Sequence, residues 1–263
     1  MKYWYETLAV AQRILTELWR RRRSLVFWSV FPIAVLVLNG LIIEERSKTI
    51  LPEPLTLAQA LERAAPATLV GAALFFSCLG GTVATIVSER EQRTLKRLFL
   101  SPLSGVSYFL GIAVAHAAIA LGQAILVGIV AIALGARFQG SLLLSGIILA
   151  LSIISYVGVG FILGTQFARR TEDVNTLVAT FGVPLLILGG AFVPAFIFPK
   201  LLLDIAQYNP IYHMNEALTQ VVAEGREFSE ITHHFWFLCA FAVLMLGAGW
   251  LSYRRVLQIE RRL

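Results

Sequence analysis

Six stretches of this chain contain no Asp, Glu, Lys or Arg: residues 25–43, 67–87, 106–134, 141–168, 176–198 and 235–253, each at least 19 residues long. A helix needs about 20 apolar residues to cross the hydrocarbon of a bilayer. Backbone groups in lipid must satisfy one another, so helices are the natural solution. The alternating, strand-sized segments of a membrane barrel are absent. The chain is 57% hydrophobic and 14% charged, against about 45–50% and about 25% for soluble proteins. The expected fold is therefore an all-α integral membrane protein with six transmembrane helices, one membrane domain over residues 1–263.

Lys and Arg placement orients the spans. Residues 1–24, 88–105, 169–175 and 254–263 hold 16 of these cations, while 44–66, 135–140 and 199–234 hold 6 beside 9 acidic residues. Both termini and the loop after the second span are thus expected in the cytoplasm. No small-residue cleavage site accompanies the first apolar run, which reads as an uncleaved span. Before it, residues 1–23 contain an amphipathic helix. Trp4, Leu8, Ala11, Leu15, Leu18 and Trp19 share one side of the wheel and Lys2, Glu6, Gln12, Arg13, Thr16 and Glu17 the other. Such a helix lies in the membrane interface, with Arg20 to Arg23 set at anionic headgroups. It serves as an anchor or as a docking element.

Residues 88–102, SEREQRTLKRLFLSP, form a charged segment between two apolar runs. Leu95, Leu98 and Phe99 fall at helical spacing, which makes a short amphipathic helix at the membrane surface. Ser88 with Glu91 three residues on has the form of a capping box. The apolar strip suits a helix-in-groove contact with another protein, and Arg90, Arg93, Lys96 and Arg97 suit acidic residues around that groove. A positive loop with incidental leucines is the alternative.

Between the fifth and sixth spans, Pro194, Pro199 and Pro210 punctuate the chain, with Pro184 before them. Proline breaks helices and strands carbonyls. The expectation is a fifth span that stops, followed by short helices at residues 201–207 and 211–222 within an extracytoplasmic or re-entrant segment, 199–232. Inside the spans, Asn39, His116 and Gln123 are polar, as are Ser77, Thr82 and Thr85. They line a translocation route or join helices by hydrogen bonds. Gly158, Gly160 and Gly164 suggest close helix packing. His213 and Glu216 read as an ordinary surface pair on one short helix. Cys78 and Cys239 sit in apolar runs and read as packing residues, and four scattered histidines make no metal-ligand pattern.

These features together resemble the permease subunits of type-2 ABC transporters, six-span export proteins. After the second span that family carries a pattern near E-R-E-x-G-T-L-E-x-L-x-x-T-P. Glu89, Arg90, Glu91, Thr94, Leu95, Leu98 and Pro102 match it; Arg93, Lys96 and Ser101 depart from it. A later pattern, G-x-x-x-P followed by N-P and E-A, is met by Gly190, Pro194, Asn209, Pro210, Glu216 and Ala217.

The resemblance implies that residues 88–104 hold a coupling helix, with Phe99 beside the matched residues, seated in the groove of a separate ATPase subunit. That subunit would bind ATP and magnesium, and this chain no cofactor. A second permease copy or paralogue, membrane lipid as surroundings, a bacterial cytoplasmic (inner) membrane and no nucleic acid follow from the same likeness. A P-loop needs G-x-x-x-x-G-K-[ST], and only Lys48 precedes Ser or Thr, without the glycine, so this stretch of chain is no ATPase. Export of an amphiphilic, lipid-like, drug or lipid-linked glycan compound by alternating access is the implied function. An ion-coupled secondary transporter or channel is the alternative. It would want carboxylates within the spans, and the six charge-free stretches hold none.

Overall fold

The computed structural model describes residues 2–20, 22–92 and 103–260. It is an all-α bundle with six helices long and apolar enough to cross a membrane. Helix α1 (Lys2–Arg20) precedes α2 (Arg22–Ile50). Then come α3 (Leu57–Glu91), α4 (Gly105–Ala133), α5 (Leu142–Phe167) and α6 (Thr171–Leu188). Short helices α7 (Lys200–Ala206) and α8 (Pro210–Val222) lead into α9 (Phe228–Glu260). One end of the bundle carries α1 and the last turns of α3 and α5; the other carries α7 and α8.

Helix α3 is the axis. In its most apolar window 78% of residues are buried, against 17–44% in the other spans. It begins ten residues before the charge-free stretch 67–87. Thr56 explains the start: its hydroxyl accepts from the Gln59 amide, and Gln59 Oε1 accepts from the Thr56 amide at 2.9 Å. This reciprocal cap satisfies two donors that helix formation orphans. The charge-free stretch 67–87 holds no carboxylate, but the helix containing it begins earlier and carries Glu62, which is buried. Its oxygens accept from the Arg137 amide at 2.7 Å and from Gln139 Nε2 at 3.2 Å. A buried carboxylate survives when donors replace its water, and here they tie the α4–α5 turn to α3. Glu62→Ala should cost about 2–3 kcal/mol through those charge-assisted bonds, read as a lower melting temperature in detergent; Glu62→Gln should cost less, since one oxygen still accepts.

From Leu69 to Gly80, α3 widens into a π-helix, and α6 does so from Val178 to Gly182. Such segments shift the angular register of every later side chain and recur at functional sites. Elsewhere glycines set the crossings. A Cβ on Gly158 would lie 2.6 Å from the Met245 backbone, so α5 and α9 touch main chain to main chain there. A Cβ on Gly160 would lie 2.8 Å from Thr82 Cβ, so the opposite face of α5 meets α3. The sequence-based reading of these glycines as packing residues matches this geometry.

Helix α1 packs on α4. Thr7, Val10 and Ala11 are buried, and Val10 seats against Gly111. Glu6 accepts from the Ser104 amide at 3.1 Å, a bond that holds its carboxyl below the usual range and pins α1 to the start of α4. The expected apolar side of the wheel is thereby divided. Ala11 faces protein, whereas Trp4, Leu8 and Trp19 are exposed, so α1 carries one apolar strip for α4 and another directed away from the bundle.

Candidate functional site

Three consecutive residues end α3, and each fastens a different part of the molecule. Glu89 accepts from the Arg13 guanidinium of α1 and from the Tyr108 hydroxyl of α4. Arg90 donates to three carbonyls at the end of α5: Ala168 at 3.1 Å, Gly164 at 3.2 Å and Thr165 at 3.4 Å. Glu91 accepts from the amide of Thr171 at 3.1 Å and from its hydroxyl, at the first turn of α6.

The electrostatics fit the backbone. The last carbonyls of a helix are unpaired and carry partial negative charge, and the first amides the reverse. Arg90 meets the former on α5 and Glu91 the latter on α6. Asp173 completes the turn between them, accepting from the amides of Arg169 at 2.8 Å and Arg170 at 2.9 Å. A cation closes one helix, an anion opens the next, and both belong to α3.

This geometry corrects the capping-box reading of Ser88 and Glu91. Ser88 lies inside α3 and accepts from Gln92 Nε2 at 3.0 Å; the carboxylate of Glu91 caps α6 instead. Arg90, expected to meet acidic groups of another protein, is engaged by carbonyls of its own chain. The remaining residues of the motif, Thr94, Leu95, Leu98, Phe99 and Pro102, lie outside the described residues.

Beside this clasp lie two cavities that share Trp28, Gly81 and Ala84. The first, about 290 Å³, is the more polar of the two, with Arg13, Glu17, Thr85, Glu89 and His116 beside Ile14, Leu18 and Ile119. The second, about 510 Å³, is apolar and lies between α2, α3 and α6. Phe27, Trp28, Phe31 and Phe76 wall it, along with Ala72, Gly80, Val178 and Ala179 from the two π-helical segments. Gln123 closes it from α4. Its Nε2 donates to the Trp28 carbonyl at 3.0 Å, and its buried Oε1 has no hydrogen-bond partner. The chamber is thus mainly aromatic and aliphatic, with Asn175 of α6 and Gln123 as the amide side chains of a lining that has no charged side chain.

The three polar residues expected in the spans thus fall in three places. His116 borders the polar cavity and lies 3.4 Å from Thr85 Oγ1. Gln123 borders the apolar one. Asn39 lies at the other end of the bundle, in a space of about 120 Å³ with Arg63, Asn215, Glu216 and Glu224, and donates to the Ala191 carbonyl at 3.4 Å. Each also lies within hydrogen-bond reach of a second segment of chain, the helix-joining reading offered by the sequence.

The proline-punctuated segment closes the end opposite the clasp. Gly190 adopts φ +78°, and a Cβ there would meet Asn215 Nδ2 at 2.8 Å. Asn215 donates to the carbonyls of Gly189 and Gly190 at 3.3 and 3.0 Å. Pro194 and Pro199 immediately precede a 3-10 turn, Ala195–Ile197, and α7. Asn209 caps α8, with Pro210 in its first turn, and also donates to the Leu185 carbonyl of α6 at 2.7 Å. Glu216 is half-buried, and burial pushes its carboxyl up from the usual range. It does not pair with His213. That histidine is fully buried, facing His234 of α9 with their Nδ1 atoms 2.8 Å apart. Three of the four histidines, His213, His233 and His234, therefore gather, which spacing along the chain does not show. Among the described residues, no group of three or more His, Cys, Asp or Glu could hold a metal ion.

Five apolar helices around a central sixth, bound at one end by a three-residue charged clasp, define a multi-pass membrane domain of transporter type. The family model for the ABC-2 family transporter protein matches residues 57–251, from the first residue of α3 into α9. The chain belongs to that family. It is similar to the probable multidrug ABC transporter permease YbhR of Escherichia coli strain K12, 27% identical over 175 residues, 66% of this chain and 47% of that protein. The counterpart in Escherichia coli O157:H7 has the same figures. The chain spans about half the length of these curated relatives.

Proposed function

We propose that this chain is the membrane-spanning part of an ATP-driven exporter. A separate ATPase subunit, holding ATP and magnesium, docks on the loop within residues 88–104, and two permease units together enclose the route. The observation that carries the reading is the clasp. Force entering just after Glu91 reaches α1, α4, α5 and α6 at once, because Glu89, Arg90 and Glu91 fasten those elements to α3. A rigid multipoint junction is what alternating access requires if one external motion is to bias two arrangements of the bundle.

The paired cavities support an amphiphilic substrate. A chamber of about 510 Å³ falls within the range of drug-sized sites, roughly 300–1,000 Å³. Its rings favour aromatic, aliphatic or weakly cationic bodies. The Asn175 amide at its edge can meet a polar group, and the more polar space beside it suits a polar head. The multidrug description of the relative accords with this. The asymmetry of Lys and Arg supports cytoplasmic termini, and the likeness to the Escherichia coli relatives supports a bacterial cytoplasmic membrane.

The test is ATP-dependent efflux of a lipophilic fluorescent amine from liposomes holding this chain with its ATPase. Ala84→Trp and Ala179→Trp put bulk into the chamber and should each reduce efflux about tenfold or more, equivalent to roughly 1.4 kcal/mol or more on the rate-limiting barrier, while the ATPase still co-purifies. Unchanged efflux in both variants would remove the chamber from the route.

A further inference from the structure

We propose that the facing imidazoles of His213 and His234 form a proton-binding site that clasps α8 to α9 through one shared hydrogen and lets α8 go when both rings become cationic. The geometry settles the tautomers. His213 Nε2 lies 2.8 Å from the Gln207 carbonyl, which can only accept, so that nitrogen carries hydrogen. Nδ1 of neutral His213 is then a bare acceptor, and the contact at 2.8 Å is His234 Nδ1–H donating to it.

One added proton fits. It enters at His234 Nε2, on the half-exposed ring, and the bridging hydrogen moves toward either ring. The pair then has three N–H groups and one lone pair, and that lone pair still faces the bridge. A second proton leaves two N–H groups pointing at each other across 2.8 Å, and the bond becomes a repulsion between like charges. The two steps belong to the pair rather than to either ring.

The surroundings oppose that second charge. His213 is fully buried and stacks on Phe237 with ring centres 3.8 Å apart. His233 lies 5.3 Å from the His213 ring and 5.6 Å from the His234 ring, and Tyr212 lies 5.6 and 6.0 Å from them. On α8, Glu216 borders the cavity shared with Arg63 of α3. On α9, Glu230 accepts from the Glu227 amide. On α7, Asp204 is exposed. Burial, reinforced by His233 and partly opposed by the Gln207 carbonyl, holds His213 below its ordinary value of 6.5. A histidine that binds protons less well folded than unfolded contributes its full stability above pH 6.5 and loses it as pH falls below that value. Asn209 and Asn215 bind α8 to the end of α6, and its other faces pack on α3 and α5, so freeing its contact with α9 opens that one seam while the others hold.

Only four histidines exist in the chain, so imidazole nitrogen-15 spectra of the full chain in nanodiscs, titrated from pH 8 to 4 with chelator present, resolve each one. The expected result is a coupled pair with a bridging hydrogen, and a His213 midpoint below 6.5. His234→Gln, which keeps a donor but cannot take a proton, should move that midpoint by about one unit, a tenfold change in proton affinity. His233→Gln should leave the coupling in place. Amide exchange across Pro210–Val222 should rise in the wild type as the second proton binds, and a thermal melt would establish that His234→Gln is folded. Independent titration of the two rings, α8 exchange indifferent to pH, or a tightly held zinc ion that disappears in His213→Gln would each overturn the proposal.

Discussion

Arg90→Ala should abolish substrate-stimulated ATP hydrolysis in the reconstituted complex while ATPase binding survives. The guanidinium is the only side chain described as donating to all three carbonyls of Gly164, Thr165 and Ala168. Charge-assisted bonds of this type contribute about 1.5–3 kcal/mol each when buried, and water at the membrane edge replaces part of that. A net loss of about 2–4 kcal/mol is expected, visible as a lower melting temperature. The functional loss should exceed the stability loss, because α3 and α5 would then turn separately. Arg90→Lys is the diagnostic partner. It keeps the charge but lacks the planar fork that spans several acceptors, so it should retain stability better than coupling. Normal coupling in Arg90→Ala would mean that the end of α5 receives its motion elsewhere.

Gly158→Leu should have the largest effect on assembly of the bundle. The nearest obstacle to a Cβ is backbone of α9 at 2.6 Å, and Gly249 presents the matching close approach, its own Cβ position lying 2.8 Å from the Gly158 carbonyl. Backbone cannot rotate aside as a side chain can, so the crossing must open, at a cost of about 3 kcal/mol or more. Gly128→Leu is the control. A Cβ at Gly128 meets nothing within 4 Å, and the change should stay within about 0.5 kcal/mol. Melting temperatures of the two variants in one detergent test the contrast. Equal behaviour would show that the α5–α9 crossing is not close-packed in the membrane.

Much of the architecture was legible because the bilayer imposes a simple rule. A helix must hide its backbone and face lipid with apolar side chains, so unbroken apolar length reports a span. The third and fourth apolar stretches match α4 and α5 to within one residue at each end, whereas α2 runs seven residues further and α6 stops ten residues sooner than the charge-free stretches. In α3, Glu62 and Arg63 interrupt the apolar run while the helix continues. The Arg137 amide and the Gln139 side chain that make Glu62 tolerable come from 75 and 77 residues away, and no local pattern reveals them. The motif after the second span was recognisable as residues of consequence. Its contacts were not, because Thr171, Ala168 and Arg13 are remote in sequence from Glu91, Arg90 and Glu89. For the histidine pair, the only signal available was two adjacent histidines opening an apolar helix, which says nothing of a third on α8.

The chain by itself determined its apolar helical class, its six long apolar helices, its amphipathic first helix and the charged segment between the second and third spans, because each depends on runs of neighbours. Only the tertiary structure decided which charges meet, where an aromatic chamber opens and which histidine faces which. Those are properties of side chains brought together from distant positions by helix packing, and glycines at the crossings set how near they come.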